Sequence, residues 1–279
     1  MKIYIQTNNQ QRLAAKIAKA SFIERGFNKN NIFFLDLEEN KFLKSYLNSS
    51  YIRNGIITKY KNDLQSFTLL RFFAPEMNKY KDKILVIDPD VFACKNPESI
   101  FNNLHDECQI CCTFYNNFPR SEVMLINANK VRWDFKQIIR SLFDQKIDYK
   151  DLMNLTFDKT LKIKKIKNIY NSHDNINSDT VLLHTTNRIT QPWKEGLKID
   201  FEKQFSFKEK IYNFLKKNLK MSYNEEVLSK FYLKHPDKKI IITIKNFYDF
   251  AVKNKIIKLE EVKSAIKNKY FSEKFISNY

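Results

Sequence analysis

Two carboxylates separated by a proline, Asp88-Pro89-Asp90, close an apolar run in KILVIDPDVFACKNPESIF, residues 83–101. In extended backbone, residues i and i+2 point the same way. Pro89 fixes its own φ and biases Asp88 toward extended backbone, so both carboxylates aim at one point. Such a pair repels unless one member is protonated or a cation lies between them. A hard divalent ion, Mn²⁺ or Mg²⁺, meets that need. Asp-Pro-Asp is also a common turn tripeptide, so by itself it leaves both readings open. Two further residues favour the cation. Arg71 stands inside the apolar stretch LQSFTLLRFFAP, and a buried guanidinium needs an anion. Asp88, Asp90 or a bidentately held diphosphate would serve. His184 ends TVLLH, where its imidazole is a candidate third ligand, and nitrogen suits Mn²⁺ better than Mg²⁺. A structural histidine is the alternative there.

The elements that must position these residues follow from periodicity. KIYIQT, NIFFLDL and KILVID read as buried strands, and QQRLAAKIAKASFIERG as an amphipathic helix ending at Gly26. NDLQSFTLLRFFAPE reads as a helix stopped by Pro75, and NPESIFNNL as a short helix. CQICCTF, EVMLIN and TVLLHT are further strands, and WDFKQIIRSLFDQ is a helix. Strands alternate with helices over residues 1–200, which predicts an α/β layered sheet whose first strands are parallel. Residues 201–279 turn Lys-rich and read as a mostly helical extension, with one short strand expected at KKIIITI. No linker separates the two parts, so the boundary is soft.

Composition narrows the chemistry. With 3 Gly in 279 residues, a Gly-rich phosphate loop is excluded. The 24 Phe and 14 Tyr provide a core and exclude a disordered chain. The charge of +18 favours anionic partners, although Lys on solvated helix faces accounts for it equally well. Three of the four Cys cluster in HDECQICCTF beside His105, but a second ligand pair at zinc spacing is missing. Their alternation reads as a strand with Cys in the core. The start of the chain shows no apolar signal core, and no run of about 18 apolar residues occurs. A cytoplasmic protein, at most peripheral to a membrane, is expected.

Taken in order, these pieces resemble the GT-A glycosyltransferases, nearest to family 8, the glycogenin and bacterial galactosyl- or glucosyltransferase group. The polar turn Gln6-Thr7-Asn8-Asn9 follows the first strand. Arg71 precedes Pro75, as in the family's R-L-x-x-P. A strand then ends in D-x-D, SEVMLIN is similar to N-[SA]-G-V-M-L-[IL]-[ND], and LLHTTNRITQPW is similar to H-x-x-G-x-x-K-P-W. The likeness covers residues 1–200.

The resemblance implies a GT-A (Rossmann-like) mixed sheet flanked by helices. It implies sugar transfer from a nucleotide-diphosphate donor, UDP-linked and with retention, to a saccharide or glycoconjugate. Asp88, Asp90 and His184 would hold Mn²⁺ or Mg²⁺, and Arg71 would meet the donor. Thr7, Asn8 and Asn9 would lie at the base, while Gln191, Pro192 and Trp193 fall at the diphosphate-contacting K-P-W. The departures are specific. The family's Lys is Gln191 here, one residue further from His184, so Arg188 is the substitute cation. Arg120-Ser121-Glu122 replaces the sugar-contacting Asn-x-Gly. The family's D-Q-D has no clear match; Asp151 in DYKDLMNL stands nearest as a catalytic candidate, with helix capping the alternative.

Two other classes compete. A basic, Tyr- and Phe-bearing tail suits a nucleic-acid-binding protein, but no recognition motif supports one. A phosphatase or nucleotidyltransferase would need further carboxylates. The basic segment FLKKNLKMSY also suits contact with an anionic membrane surface, with a solvated helical cap as its alternative. Nothing in the sequence sets an oligomeric state.

Overall fold

A computed structural model describes residues 1–62, 65–103, 107–201 and 205–277. Its strands, in chain order, are β1 (Lys2–Thr7), β2 (Ile32–Asp36), β3 (Ser50–Arg53), β4 (Ile56–Lys59), β5 (Lys83–Ile87), β6 (Val91–Ala93), β7 (Ile110–Tyr115), β8 (Phe118–Asn127), β9 (Ile163–Lys165), β10 (Ser172–His173) and β11 (Leu182–His184). Six of them form one sheet in the order β2-β1-β5-β8-β7-β9. The strands β2, β1 and β5 run parallel, β8 runs antiparallel to both β5 and β7, and β9 runs parallel to β7. The sheet is therefore the mixed α/β sheet expected, parallel at its start.

Period-2 alternation assigns each strand residue to one face. Ile3, Ile5, Leu85, Ile87, Val123 and Leu125 pack on one side, with Ala14, Ile17 and Phe22 of the helix Arg12–Glu24. Tyr4, Ile84, Val86, Met124 and Ile126 pack on the other, with Leu69, Leu70 and Phe72 and with Ile139 of the helix Phe135–Phe143. Cys111 and Cys112 fall on opposite faces, one in each core. Burial pushes the Cys111 thiol up to about 11 and the Cys112 thiol up to about 12, so both act as small apolar core residues. His105 lies outside the described residues.

Three local expectations change. KKIIITI is not a strand: it opens the helix Lys238–Lys253, capped by Asp237, whose side chain accepts from the Lys239 amide. Ile240, Ile241, Ile244, Phe247, Tyr248 and Ala251 are buried at helical spacing, while Ile242 between them is 54% exposed. That apolar face lies in the same core as Ile3 and Ile5, and tertiary burial overrides the strand preference of an isoleucine run. The segment after residue 200 is thus joined to the sheet through one shared core. Second, Ser66–Phe73 is a 3₁₀ helix, and Pro75 lies in the first turn of the following α-helix, Ala74–Met77, which it starts rather than stops. Third, Pro97–Asn103 is also 3₁₀.

A small second sheet matters most for function. Its order is β10-β11-β6, and β11 lies antiparallel to β6 with His184 opposite Val91. Residues 88–90 are the link by which the chain leaves β5 of the large sheet and enters β6 of the small one. The link sits beyond the carboxyl edge of the parallel strands, beside the end of β1, where open α/β sheets bind ligands.

Candidate functional site

Asp88 is buried, and its Oδ1 accepts from Arg71 Nη2 at 2.9 Å and from the Gln6 side-chain amide. Both bonds land on Oδ1, so Oδ2 carries neither. Arg71 is 1% exposed, and its remaining groups are committed: Nε donates to the Thr68 carbonyl at 2.8 Å and Nη1 to Ser121 Oγ at 2.5 Å. This guanidinium therefore positions Asp88 and balances its charge from beneath. Three charge-assisted bonds hold it there.

His184 reaches the same point from the small sheet. The Thr185 amide donates to the Asp90 carbonyl at 3.1 Å, so β11 is stitched to the Asp-Pro-Asp link. His184 Nδ1 lies 2.9 Å from Asn171 Oδ1, and Asn171 in turn donates to Thr113 Oγ1 at 3.0 Å. An amide oxygen accepts only, so Nδ1 carries the proton and the neutral ring presents a lone pair at Nε2. That nitrogen lies 3.4 Å from Asp90 Oδ1. Ligand atoms of Asp88, Asp90 and His184 all fall within 4.8 Å of one another. A carboxylate facing an imidazole lone pair is stable only with a proton or a cation between them. Burial pushes the Asp88 carboxyl up to about 6, against the pull of Arg71 and His184. For His184 burial opposes the charge, but Asp90, Asp88 and Glu122 outweigh it and raise its pKa to about 9. At neutral pH the cluster by itself therefore keeps the His184 proton, while Asp88 is mostly ionised. Two hard oxygen donors and one oriented nitrogen suit a divalent ion such as Mn²⁺.

The cluster opens into a cavity of about 150 Å³, lined also by Gln11, Arg120, Glu122, Arg188 and Gln191. Gln191 Nε2 donates to Asp90 Oδ2 at 3.2 Å. Arg188 stacks over the Phe201 ring, 5.0 Å from its centroid. A groove of about 410 Å³ beside Phe42, Phe73 and Phe135 is larger. Among the described residues it has no metal-ligating cluster, so size does not locate the chemistry.

Glu122, on β8, was not singled out as a site residue, yet its side chain stands in the cavity wall. Burial works against its charge, but the paired Arg120 holds its carboxyl below the ordinary value. Gln6 and Asn171 were also missed. Gln6 falls inside β1 and not in the polar turn to which the sequence assigns it, and its side chain is fully buried. Asn171 has no local signal, because only the β10–β11 pairing brings it to His184.

The other expected residues divide. Thr7 and Asn8 are buried where β1 ends, and Asn8 Oδ1 accepts from the Gln11 amide at 3.0 Å. Asn9 is exposed, and Arg12 donates to it at 3.4 Å. These three adjoin the cavity without lining it. Trp193 is 1% exposed and packs edge-on to Phe92, so its indole belongs to the core below the cleft. Asp151 is the third residue of the helix Tyr149–Met153 and closes a capping box with Asp148, the N-cap. It does not line the cavity.

The loop carrying Arg188 and Gln191 has its own anchor. Asp174 Oδ2 accepts from the Thr186 amide at 3.1 Å, the Thr186 hydroxyl at 2.5 Å and the Asn187 amide at 3.0 Å. Replacing Asp174 by Ala strands these donors and is expected to cost about 1.5–3 kcal/mol in urea unfolding. An unchanged midpoint would show the loop to be held otherwise.

No protein-family model and no curated protein matches the sequence. Among solved structures, the chain is similar to an active-site mutant of LgtC, at 13% identity and a TM-score of 0.50 over 69% of this chain and 89% of that one. It is also similar to the galactosyltransferase LgtC in complex with donor and acceptor sugar analogs, at 16% identity and a TM-score of 0.48 over 69% and 89%. GlyE, a glycosyltransferase of Streptococcus pneumoniae, aligns at 16% identity and a TM-score of 0.48 over 74% of this chain and 57% of GlyE. Identity this low speaks to architecture alone, and the mixed sheet described above agrees with the fold shared at a TM-score of 0.50: the chain has the GT-A fold.

Proposed function

We propose that the chain is a metal-dependent glycosyltransferase of the family 8 type, moving a sugar from a UDP-linked donor to a saccharide or glycoconjugate acceptor with retention at the anomeric carbon. The observation that carries this reading is the Asp88–Asp90–His184 donor set at the carboxyl edge of β5 in a GT-A fold. A bound divalent cation there would neutralise the diphosphate of the donor as it leaves. The chain's own residues do the rest. Asp88 and Asp90 supply oxygen ligands, His184 supplies Nε2, and Asn171 and Gln191 fix their orientation. Arg188, on the cavity wall, is the cation available to the departing diphosphate. The anomeric C–O bond breaks with its electron pair going to the nucleotide diphosphate. The acceptor hydroxyl oxygen forms the new bond and releases its proton. Glu122 is an ionised acceptor for a sugar hydroxyl or for that proton.

Thermal unfolding with a panel of nucleotides tests this. UDP is expected to raise the melting temperature with Mn²⁺ and not with a chelator, by the equivalent of about 2.7 kcal/mol at a hundredfold excess over Kd. Indifference to every nucleotide, coupled with steep salt-dependent RNA or DNA binding, would sink the reading and favour the nucleic-acid alternative.

A further inference from the structure

The helix Phe207–Asn218 turns its apolar side outward. Ser206 and Glu209 form a capping box at its start, so the helix is specified locally. Phe207, Ile211, Phe214 and Leu215 recur at i, i+4, i+7 and i+8, the spacing of one apolar stripe. In a globular helix that stripe would face the core. Here Phe207 is 77% exposed, Phe214 56% and Leu215 53%, and the buried residue of the helix is the polar Asn213. Asn213 donates to the Glu209 carbonyl at 2.9 Å and accepts from the Asn224 amide at 2.8 Å, which pins the polar side to the chain. Leu219 and Met221, also exposed, continue the apolar surface. At 100° per residue, Lys208 borders the stripe on one side and Lys210 and Lys217 on the other.

We propose that residues 207–221 form a docking surface for an anionic lipid bilayer. The helix would lie in the interface plane, with Phe207, Ile211, Phe214 and Leu215 in the acyl boundary and the flanking lysines among the headgroups. Charge selects this occupant. Residues 207–221 carry five Lys and one Glu, hence a net +4. Two copies of such a face repel each other, whereas anionic headgroups neutralise it. No helix among the described residues is long and apolar enough to cross a membrane, so the helix rests on the surface. Phe201, six residues before the helix, lies under Arg188 of the cleft and against Tyr232. The polar side of the helix is tied to the rim of the site: Asn213 accepts from Asn224, the cap of the helix Glu225–Leu228, and Glu226 of that helix accepts from Asn187 beside Arg188, so an acceptor carried at a membrane surface would be presented near the cleft. The proposal stands on this face alone and does not depend on the chemistry of the cleft.

Sedimentation of the full chain with vesicles tests it. The chain is expected to pellet with phosphatidylglycerol–phosphatidylcholine vesicles at physiological salt and to remain in solution with phosphatidylcholine alone. The double variant Phe214→Ser/Leu215→Ser is expected to partition at least about tenfold less, with its melting temperature unchanged because both side chains are exposed. Lys210→Glu/Lys217→Glu, read alongside, is expected to lose binding to the anionic vesicles. A wild-type chain that stays in the supernatant overturns the proposal, as does a Phe214/Leu215 variant that pellets normally. A dimer abolished by the same apolar variant, without vesicle binding, would assign the face to self-association instead.

Discussion

Replacing Asp90 by Asn is expected to lower metal-dependent transfer by about 10²–10³-fold while leaving the fold in place, whereas replacing Asp88 by Ala removes activity and stability together. The two carboxylates are neighbours in sequence but not in energetic role. Asp90 is partly exposed, facing His184 and Gln191 across the cavity. Among the described residues its side chain meets no buried cation other than the titratable His184. Losing that charge lets the titratable His184 shed its proton instead of leaving a fixed buried cation unpaired, so the stability lost is smaller than at Asp88. Asp88 is different, because Arg71 beneath it is 1% exposed and, among the described residues, has no second carboxylate within bonding distance. Truncating Asp88 leaves a buried guanidinium without its anion, which costs about 3–5 kcal/mol. That is a large share of the roughly 5–15 kcal/mol that holds a typical domain together. Thermal unfolding and Mn²⁺-dependent donor turnover, measured on both variants, separate the roles. An Asp90→Asn protein with full turnover would remove that carboxylate from the chemistry. An Asp88→Ala protein as stable as the parent would show that Arg71 finds another partner.

This split could not be read from the tripeptide. The sequence reading places two carboxylates on one side of an extended link, but the structure brings them together across a turn instead: Pro89 and Asp90 are its central residues and the Val91 amide donates to the Asp88 carbonyl at 3.4 Å. Which carboxylate is anchored depends on Arg71, seventeen residues upstream on a 3₁₀ segment, and on Gln6 in another strand. Either carboxylate satisfied the need of a buried guanidinium as the sequence stood. His184 was visible for the same reason as the aspartates, being polar where a strand ends. Its orienting partner Asn171 was not, because the parallel pairing of two- and three-residue strands leaves no periodic trace. Trp193 shows the opposite failure. A motif position suggested donor contact, but an aromatic beside an apolar strand is more favourably buried, and here it packs on Phe92. The isoleucine run of KKIIITI misled for a related reason. Four isoleucines within five residues suit a strand, and only the longer repeat through Phe247, Tyr248 and Ala251 exposes the helical period.

The affinity of the cluster for a divalent cation is expected to rise with pH between about 6 and 9, by roughly tenfold per unit, because each ion bound displaces a proton. The sign follows from His184. Its pKa in the folded chain is raised to about 9 by the surrounding carboxylates, above the value of about 6.5 it has unfolded. Below 9 the cation-free ring is therefore charged, and its Nε2 proton occupies the position that a metal would take. The same shift fixes the stability of the cation-free chain. A group with a raised folded pKa contributes stability that is complete below its unfolded pKa and is lost as pH climbs through the folded one. Without metal, the melting temperature should fall between about pH 6.5 and 9, as carboxylates and a neutral imidazole are left facing one another. Asp88, raised to about 6 chiefly by burial, adds the same trend at lower pH, between about 4 and 6. A saturating divalent cation replaces the lost proton with a charge that does not titrate, so the gap between metal-loaded and chelator-treated melting temperatures should widen as pH rises. Titration of Mn²⁺ at about pH 6 and about pH 8, with proton uptake or release followed in a weak buffer, measures the coupling directly. Replacing His184 by Gln should flatten the dependence across its upper range while leaving the Asp88 portion at lower pH. A metal affinity equal at both pH values would mean that His184 is not the site of exchange, and that its nitrogen faces Asp90 for structural reasons alone.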